Sequence, residues 1–256
     1  MRKTIGIAGI AGRMGQLLAE EAVTAGFTVV GGVDRVPAPG AVMFADIAAL
    51  AAAADVVVDF THASTALAHA AAVAEAGCAW VLGTTGLDAG QEAAVAAAGR
   101  RTAVVYAPNY SPGVVLLAAL AEQLGAALPA ETYDAEIVEM HHRQKVDAPS
   151  GTAVALGRAV AKGRGVRLED VTESGRDGHT GARRTGAIGF AALRGGQVVG
   201  EHTLIFAAAH EQIALSHRAF DRRAFASGAI RAAGWVRGRP AGLYGMLDVL
   251  GMRPPA

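Results

Sequence analysis

The stretch Thr4-Ile5-Gly6-Ile7-Ala8-Gly9-Ile10-Ala11-Gly12-Arg13-Met14-Gly15, continuing into Gln16-Leu17-Leu18-Ala19-Glu20-Glu21-Ala22-Val23-Thr24-Ala25-Gly26, decides the fold class. A short β-branched run gives way to glycines at every third position and then to residues that favour helix. The pattern predicts a strand over 4–8, a tight turn, and a helix over 14–25 with Gly26 just beyond its end. In such a unit, glycines let backbone amides approach a pyrophosphate, and the helix N-terminus offers unpaired N–H groups to its charge. The spacing G-x-x-G-x-x-G displaces the second glycine of the commoner dinucleotide fingerprint by one position, and taken alone it is equally a plain tight turn.

The same alternation continues outward. Strands are predicted over 28–33, 56–60, 80–82 and 102–106, helices over 65–76 and 88–98, with Gly77 and Gly99 at positions that follow helix ends. Strands alternating with helices predict an α/β fold, a doubly wound Rossmann-like parallel sheet covered on both faces. After Tyr106 the texture changes to turn chemistry at Pro108-Asn109-Tyr110-Ser111-Pro112-Gly113, and Ser111-Pro112 suits the cap and first position of a helix running to about residue 128. Strand-like runs follow at 134–140, 187–193, 201–206 and 212–216, with one helix starting near Ser150. They predict a second, α+β domain with an open mixed or antiparallel sheet. The boundaries are 1–107 for a dinucleotide-binding domain, with 220–256 packing back on it, and 108–219 for a substrate-binding and oligomerisation domain. The final helix is read over 221–237 with Asp221 as its cap, and the Gly- and Arg-rich stretch 162–185 as a solvated, mobile loop.

Bulk properties narrow the function. The 256 residues are 52% apolar, enough for a full core, and 23 Lys and Arg balance 23 Asp and Glu. Nothing draws such a chain to nucleic acid or to an anionic membrane, so a small-molecule ligand is expected, and no metal site. Glycines and charges interrupt every apolar run well short of the roughly 20 residues of a spanning helix. The lone Cys78, in an apolar stretch, reads as a buried structural thiol in a cytoplasmic protein.

Two segments carry chemistry. Asp34 ends the second strand about 20 residues beyond the glycines, where an acid accepts hydrogen bonds from the adenosine ribose. Arg35 beside it and Arg13 in the loop suit a 2′-phosphate, so the set reads as tolerant of NADH and NADPH; alternatively Asp34 is a turn acid before Val36-Pro37. The other segment is Glu136-Ile-Val-Glu-Met-His-His-Arg-Gln-Lys-Val-Asp-Ala-Pro-Ser-Gly-Thr-Ala153. Here a strand ends in His141 and His142 and reaches Lys145, and Ser150-Gly151-Thr152 opens a helix. Imidazoles, an ammonium and a helix N-terminus describe a pocket for an anion. If the pleat persists, His141 shares a face with Glu139 and His142 with Met140. The plainer alternative is a solvated strand end followed by an ordinary Ser150 cap.

The pattern E-x-x-E-x-H-H-x-x-K-x-D-A-P-S-G-T-A, ungapped over 136–153, resembles the signature of the 4-hydroxy-tetrahydrodipicolinate reductase family. Gly9–Gly15, Asp59-Phe60-Thr61, Gly83-Thr84-Thr85-Gly86, Ala107-Pro108-Asn109-Tyr110-Ser111 and Gly200-Glu201-His202-Thr203 extend the likeness over nearly the whole chain. The resemblance implies NAD(P)H-dependent reduction of a small dicarboxylated imine in diaminopimelate and lysine biosynthesis. It implies His141 as proton donor or acceptor, Lys145 as proton donor, and His142, Gly151 and Thr152 as holders of a substrate carboxylate. It places Gly9, Ile10, Ala11, Gly12, Arg13, Met14, Asp34, Arg35, Gly83, Thr85, Ala107, Pro108, Asn109 and Tyr110 at the cofactor, and it implies a homotetramer built through the sheets of the second domain. Where many relatives carry a proline after Asp-Phe-Thr, this chain has His62-Ala63-Ser64.

Overall fold

The computed structural model describes residues 3–252. Residues 1–2 and 253–256, assigned from sequence to the first domain, lie outside the described residues. In chain order the elements are β1 (Thr4–Ala8), α1 (Arg13–Thr24), β2 (Thr28–Val33), α2 (Ile47–Ala53), β3 (Val56–Asp59), a 3-10 turn (Ala63–Thr65), α3 (Ala66–Ala76), β4 (Ala79–Leu82), α4 (Ala89–Gly99) and β5 (Ala103–Tyr106). There follow α5 (Pro112–Ala127), β6 (Asp134–His141), α6 (Gly151–Gly163), α7 (Leu168–Val171), β7 (Thr172–Ser174), β8 (Ile188–Arg194), β9 (Gly200–Ala207) and β10 (Gln212–Ala219). The chain ends with α8 (Arg223–Val236), β11 (Gly242–Tyr244) and α9 (Met246–Val249). They form two compact units, Met1–Pro112 with Arg222–Ala256, and Gly113–Asp221.

The first unit is a six-stranded parallel sheet in the order β11-β5-β4-β3-β1-β2. β3, β4 and most of β5 are buried on both faces, which is why they read as continuous apolar runs rather than alternating ones. β1 pairs with β2 on one side and β3 on the other, so the winding reverses there and leaves a crevice at the carboxyl ends of β1 and β3. Ala, Val and Leu side chains around Trp80 and Leu82 fill one core layer, and the returning α8 packs on β3, β4, β5 and α1. Cys78 is buried, and loss of hydration pushes its thiol up to about 12.

The second unit is a mixed five-stranded sheet in the order β10-β9-β6-β8-β7. β6 is its central strand, antiparallel to β9 and parallel to β8. Its burial alternates strictly: Ala135, Ile137, Glu139 and His141 face inward and the even-numbered residues outward. The inward face packs on Leu117, Leu156 and Val160 of α5 and α6 together with Phe206 of β9.

Several sequence expectations are corrected. α2 and β11 are absent from the sequence reading: α2 is short and without polar contrast, and shows itself through its Asp46 cap, which accepts from Ala49 N at 2.8 Å. The three residues of β11 are marked only by parallel pairing with β5. Gly99 is not a residue beyond the end of α4. It lies in the last turn, where an added Cβ would stand 3.2 Å from Leu243, and the cap Arg100 keeps a right-handed conformation. Asp221 does not cap α8, because Arg222 occupies that position already in helical conformation. The 162–185 stretch holds the end of α6, α7 and β7, and it is tied down rather than simply solvated. Arg183 donates to Glu136 and Asp134, both at 2.7 Å, and Arg176 makes a two-pronged contact with Glu136 at 3.0 and 3.1 Å. Among the described residues no helix is long and apolar enough to cross a membrane.

Tyr110 joins the loop after β5 to the sheet. Fully buried, it points its hydroxyl at Leu82 O (2.8 Å) and Val105 O (3.0 Å), and burial pushes its phenol well above the ordinary range. Tyr110→Phe leaves those carbonyls without the donor and is expected to cost about 1–2 kcal/mol, measured as a lower urea midpoint at unchanged slope.

Candidate functional site

Each unit presents one site. In the first, the loop after β1 is shaped by what its residues lack. Gly9 has φ +85° and its N–H donates to Val33 O at 2.8 Å. A Cβ on Gly15 would lie 2.1 Å from Gly9 O, so only glycine lets α1 start this close to the turn. α1 has no side-chain cap and no acid in its first turn, so its amides and positive dipole end are left for a ligand.

The loop opens on a cavity of about 440 Å³. Gly9, Gly12, Arg13, Met14 and Gly15 form one wall, Gly83, Pro108, Asn109 and Tyr110 another, and Phe60, Arg222 and Phe225 complete it. Of the residues expected at the cofactor, Ile10 is instead buried beneath the loop, Thr85 is exposed beside the wall, and Ala107 is buried with its N–H 3.4 Å from Leu82 O. Asp34 braces the loop: its carboxylate accepts from Ala11 N at 2.9 Å and from Arg35 N at 2.7 Å. The Arg35 side chain is exposed. Glycine backbone, an open helix N-terminus, arginines and no carboxylate along the wall fit a dinucleotide pyrophosphate, so the donor set suits NADH or NADPH.

Beneath the cavity the buried Asp59 holds the end of β3. Its Oδ2 lies 2.6 Å from His69 Nδ1 and its Oδ1 accepts from Thr61 N and Thr61 Oγ1. This keeps Phe60 against Tyr110, ring centroids 5.5 Å apart. In place of a proline, His62 starts the following turn by accepting Ser64 N–H on Nδ1 at 3.2 Å.

The second site gathers at the end of β6. Glu139, 1% exposed, receives donors from three directions. Arg194 Nη1 and Nη2 donate to its two oxygens at 2.8 Å each, Ser150 N donates at 3.1 Å, and His141 Nδ1 lies 2.5 Å from Oε2. Burial alone would push the Glu139 carboxyl up; hydrogen bonds from Arg194 and His141 overcome this and hold it below the ordinary carboxylate range. An acceptor-only carboxylate requires the proton of that bond to sit on His141 Nδ1, which leaves Nε2 for exchange.

Ser150 caps α6 by accepting Ala153 N–H on Oγ, and the same Oγ is 2.8 Å from His202 Nε2. Burial, and next the neighbouring His141, push His202 down to about 4. The half-buried His142 has an Nδ1 without a hydrogen-bond partner. Lys145 pairs with Asp147 of its own turn at 2.8 Å. Gly151 and Thr152 form the first turn of α6, with open space around Gly151. The structure thus brings His141, Gly151 and Thr152 together through Glu139 and Ser150, with His142 and Lys145 on the same strand end and turn.

Sequence reasoning did not single out Arg194, His202, Phe60, Arg222 or Phe225. Glu139 and His202 carried a signal, since both fall within motifs noticed for other reasons. Arg194, 55 residues from its carboxylate, carried none.

Comparisons with known proteins identify the family. The N-terminal model of the dihydrodipicolinate reductase family matches residues 3–110 and the C-terminal model residues 113–250. The chain is 66% identical over 254 residues to the 4-hydroxy-tetrahydrodipicolinate reductase of Granulibacter bethesdensis, covering 97% of each. It is 62% identical over 248 residues to that of Gluconacetobacter diazotrophicus, again covering 97% of each. Among solved structures it resembles a dipicolinate-bound dihydrodipicolinate reductase from Paenisporosarcina sp. TG-14, with 25% identity, a TM-score of 0.79 and coverage of 97% of this chain and 99% of that one.

The Glu139 cluster has a pH signature. A carboxylate whose folded pKa lies below its unfolded value of 4.5 adds stability above that pH and loses it as pH falls through the folded value. Glu139→Gln turns an amide N–H₂ toward Arg194 and is expected to destabilise by about 3 kcal/mol at pH 7. The loss relative to wild type should shrink between pH 5 and pH 3 in urea titrations; a pH-independent difference would refute the ionised role.

Proposed function

The chain belongs to the dihydrodipicolinate reductase family, and from that premise we propose how its residues divide the work. The reaction is reduction of 4-hydroxy-tetrahydrodipicolinate to tetrahydrodipicolinate with NADH or NADPH, a step of diaminopimelate and lysine biosynthesis. The observation that carries the division is the bond between His141 Nδ1 and the buried Glu139.

When bound, the dihydronicotinamide supplies a hydride to the conjugated imine formed by loss of water. The electron density that results needs a proton from a donor beside the ring. His141 serves here through Nε2, since Glu139 holds Nδ1; Arg194 in turn keeps Glu139 ionised. Lys145 is the second donor. Its partner Asp147 stands half exposed on the same turn, so a substrate carboxylate can replace it at little cost. His142 and the first-turn amides of Gly151 and Thr152 bind a carboxylate at the positive end of α6. Support comes from the ligand of the Paenisporosarcina relative, since dipicolinate is a planar dicarboxylate.

For the cofactor, the loop Gly9–Gly12 with Arg13 and Met14 takes the pyrophosphate, Asp34 the ribose hydroxyls, Arg35 and Arg13 a 2′-phosphate. Gly83, Thr85 and Ala107–Tyr110 face the nicotinamide half. A homotetramer assembled through the second unit's sheet fits its outward face, where Val138, Met140 and Ile205 are half-buried and Leu193 is 52% exposed. The cytoplasm, which holds the NAD(P)H pool, is the proposed compartment.

Purified protein supplied with the product of the preceding synthase is expected to oxidise NADH and NADPH. Asp34→Ala should weaken both cofactors, because Asp34 also braces Ala11 N, but NADH more, since only NADH offers a free 2′-hydroxyl. Equal losses would overturn the ribose role.

Turnover separates the basic residues. His141→Ala and Lys145→Ala are each expected to lower kcat by roughly 10²–10⁴-fold, with cofactor affinity nearly intact, whereas His142→Ala acts mostly on KM. A near-normal kcat in both of the first two variants would mean that water supplies the proton and the cluster only clamps an anion.

A further inference from the structure

Arg194 ends β8 opposite His141, its partner in the parallel register with β6. Nη1 of its guanidinium donates to Glu139 Oε2 at 2.8 Å and to Leu193 O at 2.6 Å, and Nη2 donates to Glu139 Oε1 at 2.8 Å and to Asp147 O at 2.6 Å. Both hydrogens of each Nη are thereby taken up inside the protein, which leaves neither nitrogen a hydrogen for a substrate carboxylate. What the arginine holds are the two sides of the site. On one side is Glu139, which fixes His141 Nδ1. On the other is the carbonyl of Asp147, the residue whose carboxylate pairs with Lys145 at 2.8 Å. The segment 142–149 between β6 and α6 has no helix or strand of its own, and Val146, between Lys145 and Asp147, is 97% exposed, so apolar packing does not anchor that turn. Polar ties to the turn after β8 do so instead. Gly195 N donates to His141 O at 2.9 Å and Arg143 N to Gly196 O at 3.3 Å where the segment begins, and Arg194 holds its far end.

We infer that Arg194 is a positioning residue for both proton donors: one rigid guanidinium plane is bonded to the supports of each, and so sets the place of the Lys145 turn against that of the His141 imidazole. The inference rests on the reading of His141 and Lys145 as the donors and deepens it. The planar fork suits this task. Two parallel N–H groups match the two carboxylate oxygens, and the outer hydrogens then point aside, one of them to Asp147 O. A lysine here would keep a positive charge beside Glu139 but present it from a single atom, which cannot match both carboxylate oxygens and also reach Asp147 O. Placement matters because a misplacement of about 1 Å can cost roughly 10²-fold in rate.

The test places Arg194→Lys in the wild-type, His141→Ala and Lys145→Ala proteins and measures kcat, the KM of the dicarboxylate and the dissociation constant of NADH for each. In the wild-type background Arg194→Lys is expected to lower kcat by about 10- to 100-fold, with KM and NADH affinity within about 3-fold of wild type. In His141→Ala or Lys145→Ala the same change should cost less than about 5-fold, because residues that act as a unit are not additive. Arg194→Ala gives a second reading: ethylguanidinium in the vacated place should raise its kcat, and ethylammonium at the same concentration should not. A kcat of Arg194→Lys near wild type would overturn the inference. So would equal rescue by the two cations, the full loss recurring in both donor variants, or a loss confined to KM, which would make Arg194 a substrate clamp. Near-normal kcat in His141→Ala and Lys145→Ala themselves would remove the donor reading and this inference with it, whereas impaired donor variants beside an unimpaired Arg194→Lys would remove the inference alone.

Discussion

A single buried carboxylate organises the second site. Glu139 stands on the central strand of its sheet, and its oxygens are claimed by Arg194 from the end of β8, by the backbone of Ser150 ahead of α6, and by His141 two residues further along the same strand. Leaving such a group unpaired would cost several kcal/mol. Its ionised form is therefore tolerated only while all three partners stay in place. That demand runs in both directions: the carboxylate needs its donors, and the donors are thereby held where a ligand can use what remains of them. The His141 tautomer, the start of α6 and the position of Arg194 all follow from one ion.

The first unit solves the same kind of problem by subtraction. Its loop is open to negative charge because glycines take nothing up, because Gly15 leaves room for α1 to begin against the turn, and because no acid occupies the first helical turn. Yet it too leans on a buried acid. Asp59 pairs with His69 and with Thr61 and so fixes the strand end from which Phe60 reaches the cavity wall. In both units, a carboxylate paired with a histidine steadies the carboxyl end of a strand next to the ligand groups.

This division explains what was legible in the sequence. Local rules sufficed for β1, α1 and the glycine turn, for the alternation along β6 that sorted His141 onto the Glu139 face, and for the Ser150 cap, which accepts Ala153 N–H as its residue type promises. They failed where the determinant is remote. Neither Arg194 nor Arg222 differs in its immediate neighbours from many surface arginines; each acquires its meaning from a partner or a cavity brought close by the fold. β11 is three residues long and exists only because β5 offers an edge, and α2 lacks the polar contrast that periodicity needs. The Arg-rich 162–185 stretch misled for a related reason: its charges looked solvated, but Glu136 and Asp134 on the outer face of β6 bind them.

The two histidines at the end of β6 and near the start of β9 limit how much positive charge the cluster carries. His141 and His202 lie edge to face, ring centroids 5.1 Å apart, and two imidazolium ions at that distance in a buried setting would repel strongly. His202 yields, since burial and the neighbouring His141 push it down to about 4, so it is neutral at pH 7. Neutrality also constrains its hydrogen. Ser150 Oγ already accepts Ala153 N–H. If Ser150 then donates its own proton to His202 Nε2, both capacities of the serine are used and a single buried atom, His202 Nδ1, goes without a partner. The opposite assignment leaves that nitrogen unpaired and the serine proton without its imidazole acceptor, so the first is favoured. His202 thus acts as an acceptor that stiffens the cap of α6 and adds no charge. On the proposed reading, the donors for a dicarboxylate are then His141 and Lys145, with the N-terminus of α6 behind them.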